Sequence, residues 1–465
     1  MDNHLDLNSG IVNSVDVSND MYAKSIPTPI YDSIIDEAER LKKLSSYQSA
    51  FDFSVYRDLE LRFTDKPVRG GFIFRTPLKL VNHHSSCTKC HYTFELDSYG
   101  RGCFHNCVYC YAMEQLTAHK YWNEPQPFPV DVTDLHKIFY TVFETDRSSK
   151  WRDILSKRIP LRIGSMSDSF MKMDIKYGVT RELLRILSHY NYPYIIFTRS
   201  DVVARDEYIK ELRKDLCSVQ FSMSGNNEIL TKKIEPGAPS ISKRFDALRK
   251  LSKEGFWTTV RINPFFPMKP DGYYTDPDVV IKKFGSLEAT PSFNLFDWTM
   301  LDQIKDAGVQ SFLVGVVRLS PHSVRAMERT LGLPLKSFFN NLGPTKSHDF
   351  RYSEAEVAYY YRDFYRQAKK RQLRFNTCFI GMGLKDYFQY QDMWSNKSDC
   401  CDARGNVDEF KASSQEVPWA TRLKHAPCKE NALNAMAEEK STQEFYSNNR
   451  PKNITHLEVV RNVEA

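Results

Sequence analysis

The 465-residue sequence has no window approaching the roughly eighteen consecutive apolar residues that a membrane-spanning helix needs. Its opening, MDNHLDLNSGIVNSVDVSND, has no positively charged start followed by an apolar stretch, so it does not read as a secretory leader. The expectation is a soluble protein of the cytoplasm, the host cytoplasm if the source is viral, with no membrane partner. No segment repeats at a fixed period and no low-complexity tract occurs, which excludes solenoid and fibrous architectures. No G-x-G-x-x-G follows the first strand candidate, so a dinucleotide-binding fold has no sequence support. The net charge is only +6, which permits an anionic partner without identifying one.

What the chain does have is a large apolar and aromatic fraction, 41% and 13%, enough for a sizeable core. Short apolar runs alternate with amphipathic helical stretches. YTFELDSYG (92–100), LRIGSMS (161–167), YPYIIFTRS (192–200), CSVQFSMSG (217–225), WTTVRINPF (257–265) and QSFLVGVVRL (310–319) read as strands. TRELLRILSHY, RDEYIKELRKDL, SISKRFDALRKLSKEG and WTMLDQIKDAG read as helices between them, the last two closed by Gly255 and Gly308. Strand–helix units in this order predict a parallel barrel or partial barrel, with an open doubly wound sheet as the runner-up. After residue 345 the rhythm breaks. A Tyr-rich helix, SEAEVAYYYRDFYRQAKKRQ, is followed by a polar tail, and a charged helical stretch, IIDEAERLKKL, lies near the other end. The expected organisation is an extension over 1–75, the barrel over 76–345 and a second extension over 346–465.

Ten cysteines in a reducing compartment are poor candidates for disulfides, so close thiol groupings read as metal or redox sites and isolated Cys217 as a buried apolar residue. The tightest grouping is RGCFHNCVYCYA, which brings Cys103, Cys107 and Cys110 together directly after the first strand. In parallel β/α barrels that is where chemistry sits. Three thiolates on a four-iron cube leave one iron open for a ligand. Zinc is the alternative, and it needs a fourth donor, with His105 the nearest.

Cys-x-x-x-Cys-x-x-Cys with an aromatic before the last cysteine resembles the radical SAM superfamily. The context YGRGCFHNCVYCYA, with GSMSDSF, TRELLRIL, FTRSDVVARD, FSMSG, IEPGAPSISKRFDALRKLSKEG and RINPFFP, resembles its spore photoproduct lyase and DNA-repair-photolyase-like branch over about residues 90–270. The resemblance implies an α/β fold, a partial parallel (β/α)6 barrel of radical SAM type. It also implies a [4Fe–4S] cluster on Cys103, Cys107 and Cys110, S-adenosylmethionine on the open iron, and an electron donor such as flavodoxin or ferredoxin. In those roles Tyr109 covers the adenine. Ser167 and Asp168 bond the methionyl ammonium or the ribose. Arg199 takes the carboxylate, since guanidinium bonds carboxylates bidentately. Ser222 and Ser224 complete the cradle, and Arg244 is either part of it or an exposed helix charge. Tyr111 is the candidate hydrogen-atom relay. One departure stands out: the position that carries a hydrogen-donating cysteine in spore photoproduct lyase is Ser165 here. A hydroxyl O–H bond is stronger than a thiol S–H bond, so repair of spore photoproduct is not expected.

Two further thiol groups carry metal-ligand types. NHHSSCTKCHY holds His83, His84, Cys87, Cys90 and His91, and the C-terminal part holds Cys378, Cys400, Cys401 and Cys428. A small zinc site, a second iron–sulfur cluster and purely structural roles stay open for both. For substrate, the positive charge, the resemblance and the basic aromatic stretch YYYRDFYRQAKKRQLRF point to a nucleic-acid base or nucleotide, with remodelling of a modified thymine, as in viral DNA hypermodification, ahead of repair. A radical SAM enzyme of a peptide or small metabolite and a non-catalytic metal-binding module are the other readings.

Overall fold

The computed structural model describes residues 78–80, 91–118, 127–267, 295–335, 350–378 and 390–413, apart from single positions within these stretches. The expected helix IIDEAERLKKL and the ligand-type residues His83, His84, Cys87, Cys90 and Cys428 lie outside them.

The centre is an eight-stranded sheet: β1 (Leu78–Leu80), β2 (Phe94–Leu96), β3 (Leu161–Ile163), β4 (Tyr194–Thr198), β5 (Cys217–Ser222), β6 (Trp257–Phe265), β7 (Ser311–Val316) and β8 (Arg374–Thr377). The strands lie side by side in chain order. β1 pairs antiparallel with β2, and the other seven strands are all parallel. Six of the eight coincide with the apolar runs read from the sequence. The α/β class with a mostly parallel sheet is as expected. The sheet takes its last strand from beyond residue 345, behind the Tyr-rich helix.

Strands buried on both sides explain why these runs are so uniformly apolar. One face holds Leu161, Ile163, Tyr194, Ile196, Val219, Phe221, Val260, Ile262, Phe312 and Val314 against the helices. Those helices include α2 (Val132–Phe143), α3 (Val179–His189), α4 (Glu228–Ile234), α5 (Ile241–Lys253), α6 (Thr299–Asp306), α7 (Pro321–Leu331) and α8 (Glu354–Arg371), and α1 (Tyr111–Ala118) precedes them in the chain. Because side chains alternate along a strand, Ile195, Phe197 and Trp257 point the other way. They meet a separate cluster made by Tyr92, Trp394, Cys400, Cys401, Ala403, Val407 and Phe410. The segment 390–413 thus lies against the opposite face of the sheet from the helices. The Asp402 side chain takes Ser311 Oγ at 2.7 Å and Arg374 at 2.6 Å, and its carbonyl accepts from Trp257 Nε1 at 2.7 Å. Trp257, Ser311 and Arg374 are the first residues of three adjacent strands, so this segment docks at the N-terminal ends of the sheet.

RDEYIKELRKDL, expected as one helix, is a short helix over Asp206–Ile209 preceded by a 3-10 turn over Asp201–Ala204. The Ser200 side chain caps that turn by accepting from Val202 N, and such local bonds compete with helix continuation. No helix among the described residues is long and apolar enough to cross a membrane.

Candidate active site at the C-terminal edge of the sheet

The cysteine loop connects the first strands to α1 and rests on the segment between α4 and α5. Val108 N donates to Ile234 O at 2.9 Å, and Gly237 N donates to His105 O at 2.9 Å. A Cβ at Gly237 would lie 1.8 Å from Phe104 O, so only glycine lets the two backbones meet. The IEPG part of IEPGAPS is therefore the seat of the cysteine loop, and Ser240 beyond it caps α5 by accepting from Lys243 N.

Burial is the largest influence on all three thiols. It pushes Cys103 up to about 12 and raises Cys107 and Cys110, and the thiolates of the trio repel one another. Holding them ionised requires a cation. A single zinc with sulfur ligands at about 2.3 Å would bring the sulfurs within about 4 Å of each other. Among the described residues, the group of three ligand-type side chains whose donor atoms all lie within 4.8 Å is a different one, His91, Asp399 and Cys400. The three loop thiols are not such a group. His105 does not turn to them. Its Nε2 lies 2.8 Å from Asp168 Oδ2 and its Nδ1 3.5 Å from Gly237 O.

The residues expected around the cofactor converge here from the ends of successive strands. Asp168, after β3, accepts from Thr198 Oγ1 at 2.8 Å and from Arg199 N at 2.7 Å, both at the end of β4. Burial alone would raise its pKa, but His105 and these bonds hold the carboxyl below the ordinary range. Ser167 is committed to the fold, donating to Tyr99 O at 2.6 Å. Tyr109 Oη lies 2.7 Å from Ser224 Oγ and bonds Glu235, and the Arg199 guanidinium sits 5.8 Å over the Tyr109 ring. Arg199 Nε is buried without a hydrogen bond and faces Glu235 Oε1 at 3.5 Å. Ser222 is used through its carbonyl, which accepts from Arg244 Nη1 at 3.2 Å.

The centre of this network escaped the sequence reading. Glu235, fully buried, pairs with Arg244 at 2.5 Å and with Arg199 and Tyr109. Burial would push the carboxyl up, but Arg244 and Arg199 hold it down at about 2. Arg244 is not an exposed helix charge: it is 0% exposed and also donates to Pro239 O at 3.0 Å. The spacing from Tyr109 to Glu235 across most of the sheet hides the pairing, and only the charge inside an otherwise apolar motif signals it.

Just after the cysteine loop, Tyr111 is 59% exposed and donates to Ser165 O at 2.9 Å. Ser165 Oγ bonds Glu95, which also pairs with Arg162, and Ser165 N donates to Asp97 Oδ1 at 2.7 Å. Deeper along the sheet, Arg261 donates to Gln220 Oε1 at 2.8 Å, stacks at 4.2 Å on Phe197 and reaches Cys378 Sγ at 3.3 Å and Cys401 Sγ at 3.9 Å.

The basic aromatic stretch is a correction. On α8, Tyr360, Tyr361 and Phe364 are buried, and Phe375 follows in β8. Phe364 meets Phe265 edge-on at 4.9 Å. These rings fill the core and cannot stack bases. Arg362, Arg366, Lys369 and Lys370 form the solvated face.

No family model matches the chain. An uncharacterized protein of Methanocaldococcus jannaschii is 29% identical over 170 residues, 36% of this chain and 58% of that protein. One from Acidianus two-tailed virus is 25% identical over 169 residues, 36% of this chain and 54% of the viral protein. The chain spans about half the length of the curated relatives it matches. Among solved structures, a spore photoproduct lyase variant with bound AdoMet and dinucleoside spore photoproduct has a TM-score of 0.44 and 14% identity, covering 74% of this chain and 92% of that one. Streptococcus suis SuiB bound to precursor peptide SuiA has a TM-score of 0.33 and 11% identity, covering 82% and 67%. Both are radical SAM enzymes, and it is to these that the chain is similar.

Proposed function

We propose that the chain is a radical SAM enzyme acting on a nucleic-acid base or nucleotide, by isomerising or otherwise modifying thymine in DNA. What carries the reading is the loop of Cys103, Cys107 and Cys110 after the first strands of a parallel sheet, three buried thiols that need a cation to stay ionised. When bound, the [4Fe–4S] cluster supplies the electron that splits S-adenosylmethionine into methionine and a 5′-deoxyadenosyl radical. The chain's own contribution is orientation. Arg199, braced by Glu235, offers its guanidinium to the methionyl carboxylate, and Tyr109, fixed by Ser224 and Glu235, walls the adenine side. Asp168, bonded to His105, Phe170 N, Thr198 and Arg199 N, fixes the backbone that carries Arg199.

The substrate reading rests on the sequence resemblance to the photolyase-like branch and on the exposed Tyr111 ring beside Ser165 and Glu95. Ser165, tied to Glu95, supplies no thiol hydrogen, which favours a reaction whose hydrogen returns from 5′-deoxyadenosine over one that needs a protein donor. Tyr111, exposed beside it, is the candidate relay. Relatives include a viral protein, in keeping with hypermodification of viral DNA in a host cytoplasm. The electron donor is a flavodoxin or ferredoxin. A peptide substrate is the second reading, favoured by the likeness to SuiB, whose structure holds a precursor peptide.

Anaerobic reconstitution tests the chemistry: about four irons per chain and reductive SAM cleavage are expected, both lost in the Cys103→Ala, Cys107→Ala, Cys110→Ala protein. Retention of SAM cleavage in that variant overturns the assignment. Nucleoside analysis of DNA carrying unmodified, damaged or amino-acid-modified thymines then tests the substrate. A product of unchanged mass and shifted retention supports isomerisation, whereas turnover of peptides alone moves the assignment to the second reading.

A further inference from the structure

We infer that His91, Asp399 and Cys400 form a zinc site that ties the lead into β2 to the C-terminal segment. Their donor atoms all lie within 4.8 Å of one another, although His91 precedes the adjacent Asp399 and Cys400 by about three hundred positions in the chain. All three are buried, His91 to 3%, Asp399 to 0% and Cys400 to 5% exposure. Imidazole, carboxylate and thiolate are the ligand types zinc takes, and the mixture of hard oxygen and soft sulfur suits this borderline ion better than magnesium, calcium or an all-thiolate cluster.

Charge supplies the second argument. Asp399 is a fully buried carboxylate with no ion pair among the described residues. An ionised carboxylate away from water is costly without a counter-charge. Zinc with one carboxylate, one thiolate and one neutral imidazole is electrically balanced. The hydrogen bonds leave room for it: Oδ2 accepts from Tyr92 Oη, Ala403 N and Arg404 N, each at 2.7 Å, whereas Oδ1 accepts only from Cys401 N at 2.8 Å. Oδ1 therefore keeps a lone pair, and the other four donors fix the carboxylate's direction, as outer partners of metal ligands do.

The same geometry separates the tail thiols. Cys401 and Cys378 face Arg261, while Cys400 faces His91 and Asp399. A cube shared by all of them does not fit this division. Three protein donors satisfy zinc with one position left over.

The test uses the full chain in the Cys103→Ala, Cys107→Ala, Cys110→Ala background, so that it does not depend on the iron–sulfur assignment. About one zinc per chain is expected by elemental analysis, with His91→Ala and Cys400→Ser each weakening zinc binding by about 100-fold or more. Cobalt(II) exchanged into the same protein should show a thiolate charge-transfer absorption that disappears in Cys400→Ser and persists in Cys401→Ser. That spectroscopic pair remains readable if His91→Ala fails to fold. A protein with neither zinc nor the cobalt–thiolate absorption overturns the inference. So does iron with labile sulfide remaining in the triple variant, which would make the site a second cluster, or loss of the absorption in Cys401→Ser but not Cys400→Ser.

Discussion

Two cysteine-bearing loops dock at opposite ends of the same parallel strands, and they are built differently. At the C-terminal edge, three thiols of one type sit on a short loop beside a buried network of Tyr109, Arg199, Glu235 and Arg244. At the N-terminal edge, one thiol joins an imidazole and a carboxylate at close range, braced by Tyr92 and backbone N–H groups. The first places thiols beside groups suited to an organic ligand. The second gathers three donors of mixed type and joins distant parts of the chain. Spacing and donor mixture, more than cysteine count, separate a reactive centre from a fastening.

The sharpest way to break this contrast is to remove the charge beneath the reactive loop. Glu235→Gln leaves Arg244 buried without its partner, and a destabilisation of about 3–5 kcal/mol is expected from denaturant midpoints. The sign with pH follows from the depressed carboxyl. Glu235 titrates at about 2 in the fold against about 4.3 unfolded, so its stabilisation is present above about pH 4.3 and fades as pH falls toward 2. The variant should lose most of that slope, keeping the part due to Asp168, which is also depressed. An unchanged acid profile would show that Glu235 is not the ionised centre of the network.

Next in size is Gly237→Ala. Its Cβ would meet backbone, at Phe104 O, and not a side chain that can swing aside. The cysteine loop must lift, so reconstituted iron should fall several-fold while zinc content and far-ultraviolet circular dichroism stay near wild type. Equal loss of both metals would mean that the two ends of the sheet are not independent. Tyr92→Phe probes the other end more gently. It deletes one donor to Asp399 Oδ2, so a cost near 1 kcal/mol and about 10-fold weaker zinc binding are expected, with iron unchanged. The smallest effect belongs to Lys369→Ala with Lys370→Ala, on the solvated face of α8. Stability should move by less than about 0.5 kcal/mol, and salt-dependent oligonucleotide binding would weaken only if that face meets phosphates.

The sheet was legible because parallel strands buried on both faces are written as apolar runs between amphipathic helices, and six of eight announce themselves that way. β1 is only three residues long, and β8 follows a helix whose aromatic content suggested a binding surface. Composition states that tyrosines and arginines share α8; only packing tells which of them face the core. At the site, the three cysteines, Asp168 and Arg199 were visible as motif residues at strand ends. Glu235 was not, and His105 was read only as a fourth donor for zinc, because their partners lie 126 and 63 positions away. For the same reason the sequence could pair Cys400 with Cys401 but could not bring either to His91.

The docking of Asp402 against the first residues of three strands also sets an order of events during synthesis. The nascent chain emerges from its N-terminus, and every strand up to β7, together with the cysteine loop and its IEPG seat, leaves the ribosome before residues 390–413 exist. Tyr92 must wait for a partner 307 residues later. Contacts of such separation form late and carry a large loop-closure cost. The end that carries the cysteine loop can therefore be assembled on a chain whose other end is still open, before translation delivers the segment that packs on Phe197 and Trp257.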